Sequence, residues 1–451
     1  MTEADRVTRV VHGLQPLVQI KGQVIPRYNI LDRMQALRIP GLSVAVSNRG
    51  RVEWARGFGL ADVPTGRTVT PDTLFLAGSV SKPVSALRVH QLAEAGIVDM
   101  DANVNDYLTS WQLPDNEFTE SEKVTLRRIL NHTAGLTVWG FPGYPRTDVI
   151  PTTVEVLDGK GNTPPVRVFK KPGESWLYSG GGYTIMQLLV SDVERTHFAS
   201  IMRKHILDPL GMTGSTFENP LPDKYHAGAA TGYHTNGDEV EGKWVVYPEM
   251  AAAGLWTTPS ELIRYAIEVQ GIAQNQVDGI VRRETVANML TAGMNGSGLG
   301  PVIGEHTFGH DGGDQGFVTK LVAWRELPIA AVIMVNTENT QIIDELMLSI
   351  AAEYSLPGFE PITKSVIDMS KADRRPFTGT YSIPDRGEIE VRLSDDGLEV
   401  PPGLYPSAVH LLPESPTTFF ETTHGTTITF TYAGGEIAGF EGPGMSGTKV
   451  P

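Results

Sequence analysis

The sequence predicts an α+β protein: one antiparallel sheet flanked by helices, with a helical subdomain between its two halves, followed by a small C-terminal β domain. Three observations carry this. Strand-like runs sit around Asn48-Arg49-Gly50 within GLSVAVSNRGRVEWARGFGLAD (41–62), and others around Glu326 to Pro328 within GFVTKLVAWRELPIAAVIMVN (316–336). Residues 100–300 lie between them, with short helices, loops rich in Pro and Gly, and little strand signal. From Phe377 onward the chain is β-rich, with turn signals at short intervals.

The first run, ending near Asp62, reads as a hairpin and begins the sheet. From Ser79 to Gly96 the pattern changes: Val84, Leu87, Val89 and Leu92 recur at near-helical spacing, and Gly96 can close the helix. Pro83 is tolerated only in a first turn, which places Ser79 at the N-terminal edge of that helix. The second hairpin, 316–336, brings the sheet back, so one sheet is closed from two distant stretches of chain. A helix near Ile342 to Tyr354 and a polar linker around Pro361 to Pro376 follow. A boundary near residue 370 therefore divides the chain into 1–370 and 371–451. The turn signals DRGE, SDDG, THGT and AGGE make the second part a small barrel, lipocalin-like, or a sandwich.

Bulk composition excludes several classes. With 451 residues and 40% hydrophobic content, the chain can bury a large core in two or three domains. A net charge of -15 argues against a nucleic-acid partner, since phosphate binding needs clustered Lys and Arg. No stretch approaches the roughly 20 apolar residues of a membrane span, and the polar N-terminus lacks a signal-peptide core, so a cytoplasmic location is expected. Zero cysteines exclude a thiol nucleophile and thiolate metal sites. No nucleophile elbow of the Gly-x-Ser-x-Gly type, phosphate-binding loop or HExxH cluster occurs. His306 and His310, with Asp311 and Asp314, have metal-like spacing, but Gly309, Gly312 and Gly313 argue against the helix that would align them. Neither a metal nor a cofactor is expected.

A Ser-x-x-Lys pair on a helix brings hydroxyl and amine to one face, and the helix N-terminus favours a developing alkoxide. Such pairs arise by chance roughly once or twice in a chain of this length, so context must decide. Ser446 and Lys449 lie among glycines with no helix after them, whereas Ser79 and Lys82 open a helix. Ser79 alone could be a helix cap and Lys82 a solvated lysine.

Context favours the first pair. The segment PDTLFLAGSVSKPVSALRVHQLAEAGIVDMDANVNDYL (71–108) is followed in order by LRRILNHTAGL (126–136), KPGESWLYSGGGYTIMQLLV (171–190), ILDPLGMTGSTF (206–217) and FGHDGGDQGF (308–317). Together these resemble the serine β-lactamase and penicillin-binding protein superfamily, in the branch of class C β-lactamases, D-peptidases and related esterases. The resemblance implies that Tyr178 faces the serine, that His310-Asp311-Gly312 is the edge-strand motif, and that the backbone amides of Ser79 and Gly313 form an oxyanion hole beside Gly312. It implies Ser79, Lys82, Tyr178 and His310 as the catalytic set. One departure stands out: Gly180 occupies the position where the family pattern Tyr-x-Asn carries an asparagine. The decoys Lys171-Pro172-Gly173 and His226-Ala227-Gly228 lack a following strand. The expected function is a serine hydrolase acting on a small ester, amide or peptide. The alternatives are a D-amino-acid peptidase, amidase or DD-carboxypeptidase, and a catalytically degenerate recognition protein.

Overall fold

The computed structural model describes residues 3–275, 279–384, 386–403 and 408–450. It divides into two compact units, one of Met34–Ile343 and one that joins Met1–Arg33 to Asp344–Pro451.

The larger unit is built on an antiparallel sheet of seven strands: β1 (Gly41–Asn48), β2 (Arg51–Asp62), β3 (Arg67–Thr68), β4 (Val302–Ile303), β5 (Thr307–Asp314), β6 (Phe317–Trp324) and β7 (Ile329–Val335). Their order across the sheet is β3-β2-β1-β7-β6-β5-β4. The two expected hairpins are joined by β1 and β7, with Val332 opposite Ala45, so the sheet closes from its two sequence ends as predicted. Both strands are buried along almost their whole length, which is why they read as apolar runs rather than alternating ones. At the β1–β2 turn, Arg49 and Gly50 both have positive φ, 54° and 71°, as the two-residue turns that match strand twist require.

Four helices bear on the site: α1 (Ser81–Glu94), α2 (Gly180–Glu194), α3 (Met250–Ala253) and α4 (Pro259–Ala273). Thr258 caps α4 by accepting from the Glu261 amide, Pro259 occupies its first turn, and its buried face packs on β7 and β1. Helix α1 ends as expected, with Gly96 in the left-handed region at φ 67°. Its start differs by a turn: Gly78–Val80 form a single 3-10 turn, and the α-helix proper begins at Ser81. Ser79 therefore precedes the helix that carries Lys82.

In the other unit, a helix over Glu3–Val11 directs Arg9 to Glu353 at 2.6 Å, and Val18–Ile20 pairs in parallel with Ile362–Lys364. Eight strands between Gly379 and Lys449 form a closed barrel, closed where Tyr381 pairs with Lys449. Of the expected turns, SDDG, THGT and AGGE lie between strands, while Asp385 of DRGE falls outside the described residues. Phe377, Tyr381, Phe419, Phe430 and Phe440 fill the barrel with packed rings. Such an interior is a core of packed side chains, which an eight-stranded barrel is wide enough to hold. Among the described residues, no helix is long and apolar enough to cross a membrane.

Candidate active site

The segment carrying Ser79 is fixed from both sides. Phe75 and Leu76 pair with Thr257 and Trp256, the Ala77 amide donates to the Leu255 carbonyl at 2.8 Å, and the Leu255 amide donates to Ser81 Oγ at 3.0 Å. The following turn lies against β5 so closely that side chains are excluded. A Cβ on Gly312 would stand 2.0 Å from the Ala77 carbonyl oxygen and 3.1 Å from the Ser79 amide. A Cβ on Gly78, at φ 53°, would stand 2.6 Å from the Gly313 amide. Backbone meets backbone here, which brings the Ser79 and Gly313 amides into one neighbourhood. A Cβ at Gly313 would meet nothing within 4 Å, so the steric demand of this contact falls on Gly312 and Gly78.

Lys82, 2% exposed, donates from Nζ to Ser79 Oγ at 2.9 Å and to the Ala252 carbonyl of α3 at 2.8 Å. Its Nζ also lies 4.9 Å from the centre of the Tyr178 ring and 5.6 Å from that of Tyr183. Tyr178 is half-buried, and its ring centre is 6.2 Å from His310. The structure thus brings Ser79, Lys82, Tyr178 and His310 together, with Gly312 and Gly313 on the adjoining strand. Ser446 and Lys449 lie instead on a barrel strand, where residues three apart face opposite sides, and Lys449 Nζ donates to the Pro376 carbonyl. His306 turns to Glu305 at 3.9 Å, and its segment leads into a strand rather than a helix.

Several groups at the site carried no sequence signal of their own. His132, within the LRRILNHTAGL segment, stacks on Tyr178 with ring centres 4.2 Å apart, and its Nδ1 accepts from the Ser179 amide at 3.2 Å. That bond places its proton on Nε2. Trp139 and Trp176 add rings 5.7 and 6.3 Å from Tyr178. Behind the turn lie two buried acids. Among the described residues, Glu249 is fully buried with no side-chain partner for its carboxyl oxygens, and Asp314 accepts from the Gly78 amide while its Oδ2 has no partner. Their place in the fold was invisible because an acidic residue in a core looks like any other in sequence.

Burial sets the charge states. His310 is pushed down to about 4 by burial and then by the Lys82 charge, so it is neutral at pH 7. His132 is lowered by burial, Lys82 and His310. Burial raises Glu249 to about 8, and it raises Asp314 well above the usual carboxylate range against the pull of Lys82 and the Gly78 amide. Among the described residues, no group of three or more His, Asp or Glu side chains is placed to hold a metal ion.

The position of the absent asparagine is filled. A Cβ on Gly180 would stand 2.7 Å from Phe141 Cε2 and 3.2 Å from the Trp139 carbonyl oxygen, so loop 137–141 closes over the first turn of α2.

The Beta-lactamase family model matches residues 28–350. Penicillin-binding protein 4* of Bacillus subtilis is 24% identical over 423 residues, covering 86% of this chain and 89% of that protein. Teichoic acid D-alanine hydrolase of Staphylococcus aureus is 24% identical over 246 residues, covering 54% of this chain and 58% of that protein. Among solved structures, the octameric penicillin-binding protein homologue from Pyrococcus abyssi has a TM-score of 0.64 at 21% identity, covering 93% of this chain and 98% of that one. D-amino acid amidase from Ochrobactrum anthropi has a TM-score of 0.61 at 19% identity, covering 78% and 99%.

Proposed function

We propose, on the premise that the chain belongs to the β-lactamase family, that it hydrolyses a small ester or amide through an acyl-enzyme on Ser79. The observation that carries this reading is the 2.9 Å contact between Ser79 Oγ and the buried Lys82 Nζ, which is itself held by the Ala252 carbonyl.

In the proposed cycle Ser79 Oγ bonds to the carbonyl carbon and gives its proton to Lys82 in its free-amine form, which becomes the ammonium. The carbonyl oxygen becomes an oxyanion facing the amides of Ser79 and Gly313. Collapse breaks the bond to the leaving group, which takes up a proton through Tyr178 and Lys82. Water then repeats the sequence on the acyl-enzyme. Neutral His310 lines the cleft beside Tyr178 and helps orient the phenol. The division that accompanies this reading is a hydrolase part over 1–370 and a C-terminal β domain over 371–451.

A second reading, D-aminoacyl ester or amide hydrolysis, is favoured by the names of two similar proteins, a teichoic acid D-alanine hydrolase and a D-amino acid amidase. Gly180 weighs against it for amides, because no side-chain amide is available there to orient a peptide-like group. A panel of D- and L-aminoacyl amides beside short-chain esters separates the two. Ser79→Ala is expected to abolish p-nitrophenyl ester hydrolysis, and Tyr178→Phe to slow it by about 10²–10⁴-fold. Unchanged turnover in Ser79→Ala would end the proposal.

A further inference from the structure

We infer that Trp139, presented by loop 137–141, forms a wall of the acyl-hydrolase site and selects substrates bearing a flat apolar group beside the scissile carbonyl. The inference rests on the reading of the site given above.

Loop 137–141 is pinned to the start of α2 at three points. The Gly180 amide donates to the Trp139 carbonyl at 3.1 Å, the Gly181 amide to the Val138 carbonyl at 3.1 Å, and Ser179 Oγ to the Thr137 carbonyl at 2.8 Å. Glycine at 180 and 181 makes this possible, since a Cβ at 181 would lie 2.8 Å from Val166 and 3.0 Å from the Thr137 carbonyl oxygen. The pinning holds Val138 at φ 65°, a left-handed conformation that a β-branched residue adopts only under constraint. The residue so presented is a tryptophan 73% exposed, its ring centre 5.7 Å from that of Tyr178. Opposed constraints therefore end in an indole left in water beside the Tyr178 phenol, whose ring centre lies 4.9 Å from Lys82 Nζ.

Loop 137–141 also fills the place where the family pattern carries its asparagine, so a substrate group there meets carbon rather than an amide. Trp176 also lies against the Tyr178 ring, with ring centres 6.3 Å apart, and is held by its Nε1–H donating to Ser297 Oγ at 2.6 Å. An aromatic face with one polar anchor suits an aryl or branched apolar substituent better than a peptide group. The substituent can sit on the acyl side or on the leaving group, and two substrate series separate these cases.

The test compares kcat/KM for p-nitrophenyl phenylacetate against p-nitrophenyl acetate, and for benzyl acetate against ethyl acetate. In Trp139→Ala the aromatic-to-aliphatic ratio is expected to fall by about 10-fold or more in one of the two series, with Trp139→Phe retaining most of it. Each ratio compares two substrates on one protein sample, so any loss of folded protein cancels. Ratios unchanged in both series, with turnover still dependent on Ser79, would overturn the inference and mark Trp139 as an ordinary surface aromatic. Turnover that persists in Ser79→Ala would instead remove the reading on which the inference rests.

Discussion

Gly312 and Gly313 are neighbours in one strand, but packing demands glycine only at the first. At 312 any side chain collides with the Ala77 carbonyl in the turn that holds Ser79, whereas at 313 the space is open. Gly312→Ala is therefore expected to destabilise the protein by about 1–3 kcal/mol and to displace the nucleophile. Gly313→Ala is expected to leave stability within about 0.5 kcal/mol. Thermal melts of the two variants check this, and equal losses would contradict the account. Ser79 and Lys82 were legible in sequence because their chemistry depends on spacing along the chain. Glu249, Asp314 and Trp139 were not, because their roles depend on what folds against them.

Among the elements, the legible ones carry local signals. The Arg49-Gly50 turn, Pro83 in the first turn of α1 and Gly96 after it each announce a backbone conformation by residue type, and each stands where expected. The β1–β7 pairing was legible from two hairpins of continuous apolar character, since strands buried on both faces have to lie inside a sheet. What escaped is either short or remote. The pairing of Val18–Ile20 with Ile362–Lys364 involves three residues a side and joins distant parts of the chain, which no periodicity reveals. The 3-10 turn at Gly78–Val80 shares its composition with the helix it precedes, and its packing on β5, β6 and α3 sets it apart. Loop 137–141 escaped because its conformation is imposed by bonds from α2.

At the scale of the whole molecule, sequence left a choice between barrel and sandwich, and closure between the first and last strands of Gly379–Lys449 decides it. Buried ionisable groups give the molecule a stability that depends on pH in two opposite senses. Glu249 titrates near 8 when folded against an ordinary 4.5, so its contribution is complete below about pH 4.5 and is lost as pH rises through 8. His310 titrates near 4 against an ordinary 6.5, so its contribution is complete above 6.5 and is lost as pH falls toward 4. Glu249→Gln keeps the neutral form at every pH, and its melting temperature relative to the parent protein is expected to rise between pH 5 and pH 8. A difference that stays constant over that range would contradict the assignment of a neutral Glu249.

The central claim is that the Ser79 hydroxyl, held by a buried Lys82, is a nucleophile. Treatment with a fluorophosphonate followed by mass spectrometry of the digested protein tests it directly. The account predicts one covalent adduct, on the peptide containing Ser79, which disappears in Ser79→Ala and forms far more slowly in Lys82→Ala. A folded protein that carries no adduct, or carries it on another residue, would contradict it.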